Sequence, residues 1–313
     1  MTKSHLKKFI ALITIAMLLI GCSPGTQKPK PEEGGGSKTP EVPKVLEEME
    51  SMILETMYAV DSIPGIEKSI EEKNKAKQQE EQETEVKQKK EEKEQQAKKN
   101  VDIEMLIEEN SVIIPLLKEV EIENTILDIS EPPDNTDKHW FDISGTVGDI
   151  HRSWNVLEPQ LQEAKVTKTL TEEFENKLDE VTEVIGSKKV AEGLMGLNEL
   201  TRFMADFRSY FKSKVPAEVY KVQFHIREAI LYSSADDFDK AMDSTKKSKE
   251  LGDTLRPRII EKKGEDVAHK YQLSIEDLEQ QLKNKNFPLT QVKGSIVIKN
   301  TMLMVDLFES SIK

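Results

Sequence analysis

From residue 136 onward, apolar residues return every three or four positions, in stripes broken at short intervals by Gly, Ser and Pro. Val147, Ile150, Trp154, Leu157 and Leu161 form the first stripe, and Pro159 limits or kinks its end. Such spacing lines one face of a helix, and a helix with one apolar face must bury it against another element. Aromatic residues make up only 5% of the chain and charged residues 33%, which suits long solvated helices rather than sandwiches or barrels. The fold class expected for residues 136–313 is therefore all-α, a helical bundle.

The helices follow one another with start and stop signals. Thr169-x-x-Glu172 has the form of a capping box, and the helix it opens buries Phe174, Leu178, Val181 and Ile185. Gly186 fits a C-terminal cap, and Ser187 a cap for the next helix, which carries Leu194, Leu197, Leu200, Met204, Phe207 and Phe211. Gly193 and Gly196 inside it cost about 1 kcal/mol each relative to Ala, and imply close helix packing or a short break. Pro216 opens a helix with Val219, Val222, Ile226 and Ile230 on one face. After the break at Ser233-Ser234-Ala235, Phe238, Ala241, Met242, Thr245 and Leu255 lie on an antiparallel neighbour. This hairpin resembles a single tetratricopeptide-type unit, although the full repeat pattern is absent and no binding residues carry over. Ile275, Leu278 and Leu282 mark a further helix after Ser274, and Pro288 precedes a last one over Val292–Ile312.

A long-range repeat runs through these helices. Trp154-x-x-Leu157-x-Pro159-x-Leu161 parallels Gly252-x-x-Leu255-x-Pro257-x-Ile259. Phe174-Glu175-x-x-Leu178 parallels Leu278-Glu279-x-x-Leu282, and Met204-Ala205-Asp206-Phe207 parallels Met304-Val305-Asp306-Leu307. The offsets are 98, 104 and 100 residues with the order preserved, as two related three-helix units would give, although core positions of unrelated amphipathic helices also look alike.

Ahead of the bundle, residues 44–135 read as a separate region. Leu46, Met49, Ile53, Met57 and Val60 share a helical face, and Pro64-Gly65 is expected to interrupt it. Glu67–Lys99 holds ten Lys, ten Glu and six Gln, with i,i+4 pairs such as Glu83–Lys87 and no heptad seam. It reads as a charged stalk, partly helical, holding the bundle away from its anchor. Ser111 followed by Val112-Ile113-Ile114-Pro115 is either extended or the start of a helix with Pro115 in its first turn, and Val112–Ile129 reads as helical. Glu131-Pro132-Pro133-Asp134-Asn135 is the expected domain boundary.

The N-terminal residues carry the address. Lys3, Lys7 and Lys8 precede an apolar run from Phe9 to Ile20, too short for a stable membrane span of about 20 residues. It ends in Leu19-Ile20-Gly21-Cys22, which resembles the lipobox of bacterial lipoproteins. The resemblance implies a signal peptide over 1–21, lipidation of Cys22 by palmitate or a similar acyl chain, and anchoring on the extracytoplasmic face of the cell membrane. Ser23–Pro43 holds five prolines and four glycines, so residues 22–43 form the lipidated Cys and a flexible tether. The plan of the chain resembles the poorly characterised helical lipoproteins of Gram-positive bacteria, with no shared motif beyond the lipobox.

Charge restricts the partners. Only three charged residues, all Lys, precede Cys22, so the remainder carries 42 Lys+Arg against 58 Asp+Glu. A body that acidic disfavours nucleic acid, and its surface is repelled by anionic headgroups, leaving acyl chains as the attachment. Cys22 is the single cysteine, so neither a disulfide nor a cysteine metal site forms within one chain. His225 with Glu228, and Asp266 with His269, each lie three apart on one helical face and are candidate metal ligands. His139 and His151 read as structural or surface residues, and Trp140 and Trp154 as core packing. No dinucleotide, phosphate-loop, nucleophile-elbow or zinc-protease pattern occurs, and no cofactor is implied, so the expectation is a non-enzyme. The expected role is binding or scaffolding at the cell surface, with a protein partner in the envelope; a metal-binding or small-ligand lipoprotein serving uptake is the alternative.

Overall fold

The structure, a computed structural model, describes residues 39–87 and 101–310, with only the backbone for 79–87. The lipobox, the tether up to Lys38 and the charged run over 88–100 lie outside the described residues. Ten helices and no strand are found among the described residues. They are α1 (Lys44–Lys87), α2 (Ile103–Asn110), α3 (Ile114–Lys118), α4 (Asp137–Glu163), α5 (Lys168–Gly186), α6 (Val190–Arg208), α7 (Ala217–Ser234), α8 (Phe238–Glu261), α9 (Glu265–Lys283) and α10 (Phe287–Glu309). None of them is long and apolar enough to cross a membrane.

Turns of three or four residues join α4 through α10, apart from the segment Ser209–Pro216, so neighbours run antiparallel. α4, α5 and α6 pack in sequence, as do α8, α9 and α10. Both sets run as three antiparallel helices in chain order. Pro159 and Pro257 each stand four residues before the end of their helix, and the turns place Lys165, Lys188, Lys263 and Lys285 alike at positive φ. Each three-helix set is completed by a fourth helix, α1 against α4 and α6, and α7 against α8 and α10. The body is thus two four-helix bundles joined where α6 meets α7.

Completion by α1 overturns the expected division at 131–135. Residues from Thr39 to the C-terminus form one compact unit. Leu46, Met49, Ile53, Met57 and Val60 are fully buried, and Ile63 and Ile66 continue the same face. The amphipathic face of α1 is what the first bundle lacks, so it joins the core instead of standing in a stalk. Lys73 Nζ donates to Pro132 O and bonds Asp134 Oδ1, both at 2.8 Å, which pins the expected boundary loop to α1. The charged run starts from α1 and ends at α2, both on the body, and so does not lie between Cys22 and the bundle as a spacer.

Pro64-Gly65 does not break α1 either. Proline removes one N–H from the ladder, but Ile63 and Ile66 on either side are fully buried and hold the helix together. A Cβ on Gly65 would lie 2.4 Å from Ile107 Cα, so the glycine marks where α2 crosses the α1 backbone.

Several local expectations shift by a turn or less. Thr167, not Thr169, caps α5, its Oγ1 accepting from Leu170 N at 3.4 Å. Gly186 is the last residue of α5 with Ser187 as its C-cap, and Lys188 takes the left-handed position. α6 starts after Lys189 without a side-chain cap, so Ser187 does not open it. Ser274 lies mid-helix in α9, bonded to Tyr271 O. Pro288 sits in the first turn of α10, which starts at Phe287. Of the expected helix over 112–129, only α3 forms, with Pro115 in its first turn. Glu121 adopts φ 60°, and Asn124 bonds Leu127 through both side-chain atoms, which closes a loop in place of further turns.

The two bundles fill equivalent space differently. Trp154 stacks into a cluster with Phe174, Phe203 and Phe207, its ring centroid 4.4 Å from Phe174. At the corresponding Gly252, the Tyr271 ring lies so close that a Cβ would fall 2.1 Å from it, and Tyr271 OH donates to Ser248 O at 2.6 Å.

Candidate functional site

A groove of about 690 Å³ opens where the bundles meet, between α5 and the first half of α6 on one side and the second half of α7 and the start of α8 on the other. Its floor is apolar, with Val181, Leu194, Phe224 and Leu231 buried and Val184 and Met195 half-buried. The glycines of α6 shape it. A Cβ on Gly196 would fall 2.8 Å from Val181 Cγ2, and one on Gly193 3.1 Å from Ile185 Cδ1. Larger residues would separate α5 from α6 and displace one wall. Close packing, one of the two readings of these glycines, is what they provide.

Under the floor lies a buried polar cluster that ties the bundles together. Asn198 Nδ2 donates to Phe224 O at 3.2 Å, and Asn198 Oδ1 accepts from Arg227 Nε at 2.9 Å. Arg227 Nη2 donates to Thr201 Oγ1 at 2.8 Å. Only 3% of Arg227 is exposed, and burial pulls its pKa down to about 10, which leaves it charged at neutral pH. A buried cation bonded to neutral oxygens allows only one register between α6 and α7.

The rim is charged. Glu180, Glu192, Glu199, Glu228 and Asp237 line it, against Lys177 and Lys240. Burial of Glu228 works against its charge, but bonds from His225 and Ser244 outweigh burial and hold the carboxyl below its ordinary range. His225 Nδ1 lies 3.0 Å from Glu228 Oε2, and Ser244 Oγ donates to the same oxygen at 2.8 Å. The serine therefore meets the carboxylate and not the imidazole, the wrong order for an activated nucleophile.

The four candidate metal ligands do not converge. Glu228 lines the groove with His225 beside it, whereas Asp266 and His269 are exposed in the first turns of α9, at the opposite end of the second bundle. α7 and α9 are separate legs of the bundle, and their register sets the pairs apart. Among the described residues, no group of three or more His, Cys, Asp or Glu is arranged to hold an ion. His151 Nε2 lies 2.8 Å from Thr182 Oγ1, and His139, Trp140 and Trp154 are buried.

Asp61 escaped the sequence reading. It is a fully buried carboxylate on α1 that accepts from the backbone N–H groups of Val112, Ile113 and Ile114 at 2.9, 2.7 and 2.9 Å. Burial pushes its pKa up to about 6, against the pull of those three donors. Val112 also lines the groove, so Asp61 holds one edge of it through the Val112 N–H. Nothing in the periodicity of α1 marks this residue as buried rather than solvated.

No protein-family model, curated protein or solved structure matches this chain.

Proposed function

We propose that this chain is a lipid-anchored binding or scaffolding protein of the extracytoplasmic cell surface, and that the groove between its bundles is the recognition surface. The reading rests on the lipobox Leu19-Ile20-Gly21-Cys22 and on one structural observation: the chain from the tether meets the body at the end away from the groove. Lys212 N donates to Pro40 O at 2.7 Å and Lys212 Nζ bonds Glu41 Oε1 at 2.8 Å, so the tether arrives at the turn between α6 and α7. The groove begins at Glu199, nine residues back along α6, or about 14 Å at 1.5 Å per residue. The groove therefore lies toward the opposite end of α6 from the point where Pro40 and Glu41 meet the body. The apolar floor and the charged rim resemble the anatomy of a protein-binding surface, with its dry centre and polar edge.

Anchoring is tested by fractionating cells that express the full chain or its Cys22→Ala variant and by labelling both with a palmitate analogue. The reading expects label and membrane retention for the natural chain, and loss of both for the variant. Membrane retention of unlabelled Cys22→Ala protein contradicts it.

A further inference from the structure

We propose that a second cleft, on the first bundle, binds a linear polyamine whose ammonium groups are held by Glu104, Glu121, Glu123 and the Tyr58 hydroxyl. The cleft, of about 950 Å³, lies between α2 and the loop that follows α3, with Tyr58 of α1 behind them. It shares no lining residue with the groove. Lys118 is the one cation in its lining, and it is bonded to Glu108 while its charge also reaches Glu104. Lys138 acts on Asp128 from outside the cleft. Glu121 and Glu123 have no basic partner among the described residues, and Glu104 has none of its own. The loop that carries Glu121 and Glu123 is fixed in advance, with Glu121 at φ 60° and Ile122 N donating to Leu117 O at 3.1 Å.

Tyr58 is an independent sign of a ligand. It is only 8% exposed, yet its hydroxyl lines the cleft and has no hydrogen-bond partner among the described residues. Burial pushes the phenol above its ordinary range, so at neutral pH it keeps its proton and its oxygen accepts from an ammonium group. The spread of the carboxylates selects the class of cation. Among the described residues no three are arranged to hold one ion, whereas a divalent metal needs oxygens that converge. Glu104 lies one helical turn from Glu108 on α2, and Glu121 and Glu123 stand on the loop across the cleft. Ammonium groups separated by methylene runs fit carboxylates placed apart, and the methylenes fit the apolar wall of Ile107, Ile122 and Leu127.

The test titrates residues 39–313, which form one compact unit, with spermidine by calorimetry. Salt is held at about 0.15 M, where diffuse attraction of cations to an acidic body is screened. The comparison ligands are butylamine, which has a single ammonium group, and magnesium chloride. The proposal expects one saturable site that binds spermidine roughly tenfold or more tightly than either. Glu121→Gln combined with Glu123→Gln weakens spermidine binding by about tenfold or more. Tyr58→Phe, which keeps the buried ring and removes the hydroxyl, weakens it by about threefold or more. Glu109→Gln, exposed on α2 outside the cleft, leaves it unchanged. Circular dichroism checks that each variant is folded. Magnesium or butylamine binding as tightly as spermidine, no saturable binding, or unchanged affinity in folded Tyr58→Phe or the folded double variant overturns the proposal.

Discussion

Arg208 on α6 and Glu50 on α1, 158 residues apart in sequence, form a buried ion pair in which Nη2 and Nε approach Oε2 at 2.6 and 3.2 Å. The guanidinium also lies over the Tyr220 ring, 4.2 Å from its centroid, so one side chain links α1, α6 and α7. Removing Arg208 takes the bonded cation from buried Glu50, and removing Glu50 leaves Arg208 only the exposed Glu47, 3.7 Å away. Glu50→Gln is expected to cost about 3–5 kcal/mol of unfolding free energy, and the double change Glu50→Gln with Arg208→Met less than the sum of the two. Urea unfolding of the three variants measures both.

Gly65→Ala sets helix propensity against packing. Alanine gains about 1 kcal/mol in a helix interior, but the new methyl would meet the Ile107 backbone at 2.4 Å, which no rotamer change relieves. Packing wins, with a net loss of about 1–2 kcal/mol. Gly186→Ala, with open space around the added Cβ, is expected to be neutral or stabilising. Thermal unfolding of the pair separates the two effects.

Lys165 and Lys285 hold φ of 64° and 52° at the ends of α4 and α9, where a Cβ is unfavourable. Changing either to Gly relieves that conformation and is expected to raise stability by about 0.5–1 kcal/mol. Denaturant midpoints that do not rise would show that the lysine side chains contribute more than their backbone costs.

Asp61 ties stability to pH. Its folded pKa of about 6 lies above the ordinary 3.8, so the folded state holds this proton more tightly than the unfolded chain. Its contribution is fully present below about pH 4, falls as pH rises through about 6, and is constant above that. Relative to Asp61→Asn, which does not titrate, the natural protein is expected to lose on the order of 2–3 kcal/mol between these limits. Paired urea melts at about pH 4 and about pH 7 measure the difference.

The all-α class and most helices of 136–313 were legible because amphipathic periodicity survives without context. The assignment of α1 was not. Leu46 through Val60 showed an apolar face, but periodicity does not say which bundle a face completes, and the charged run behind Ile66 made the segment look like part of a stalk. The repeat paired α4, α5 and α6 with α8, α9 and α10, while the fourth helix of each bundle lay outside its span. Within the groove, Gly193 and Gly196 were the early signals of its shape, since a glycine in a helix interior means that something comes close. The candidate ligands His225 and Glu228 do meet, but three-residue spacing brings together only neighbours on one helix. Whether Asp266 and His269 join them depends on the register of α7 against α9, which no local pattern encodes. Asp61 was hidden for the same reason, because its partners lie 51 to 53 residues away.

Site-specific photo-crosslinking in intact cells tests the central claim most directly. A photoreactive residue replaces Ala191 at the groove rim, or Val156 on the outer face of α4 as the reference position. The account predicts a discrete adduct with an envelope protein from position 191, absent from position 156 and abolished by Ser234→Arg. No adduct at 191, or the same adducts from both positions, would contradict it.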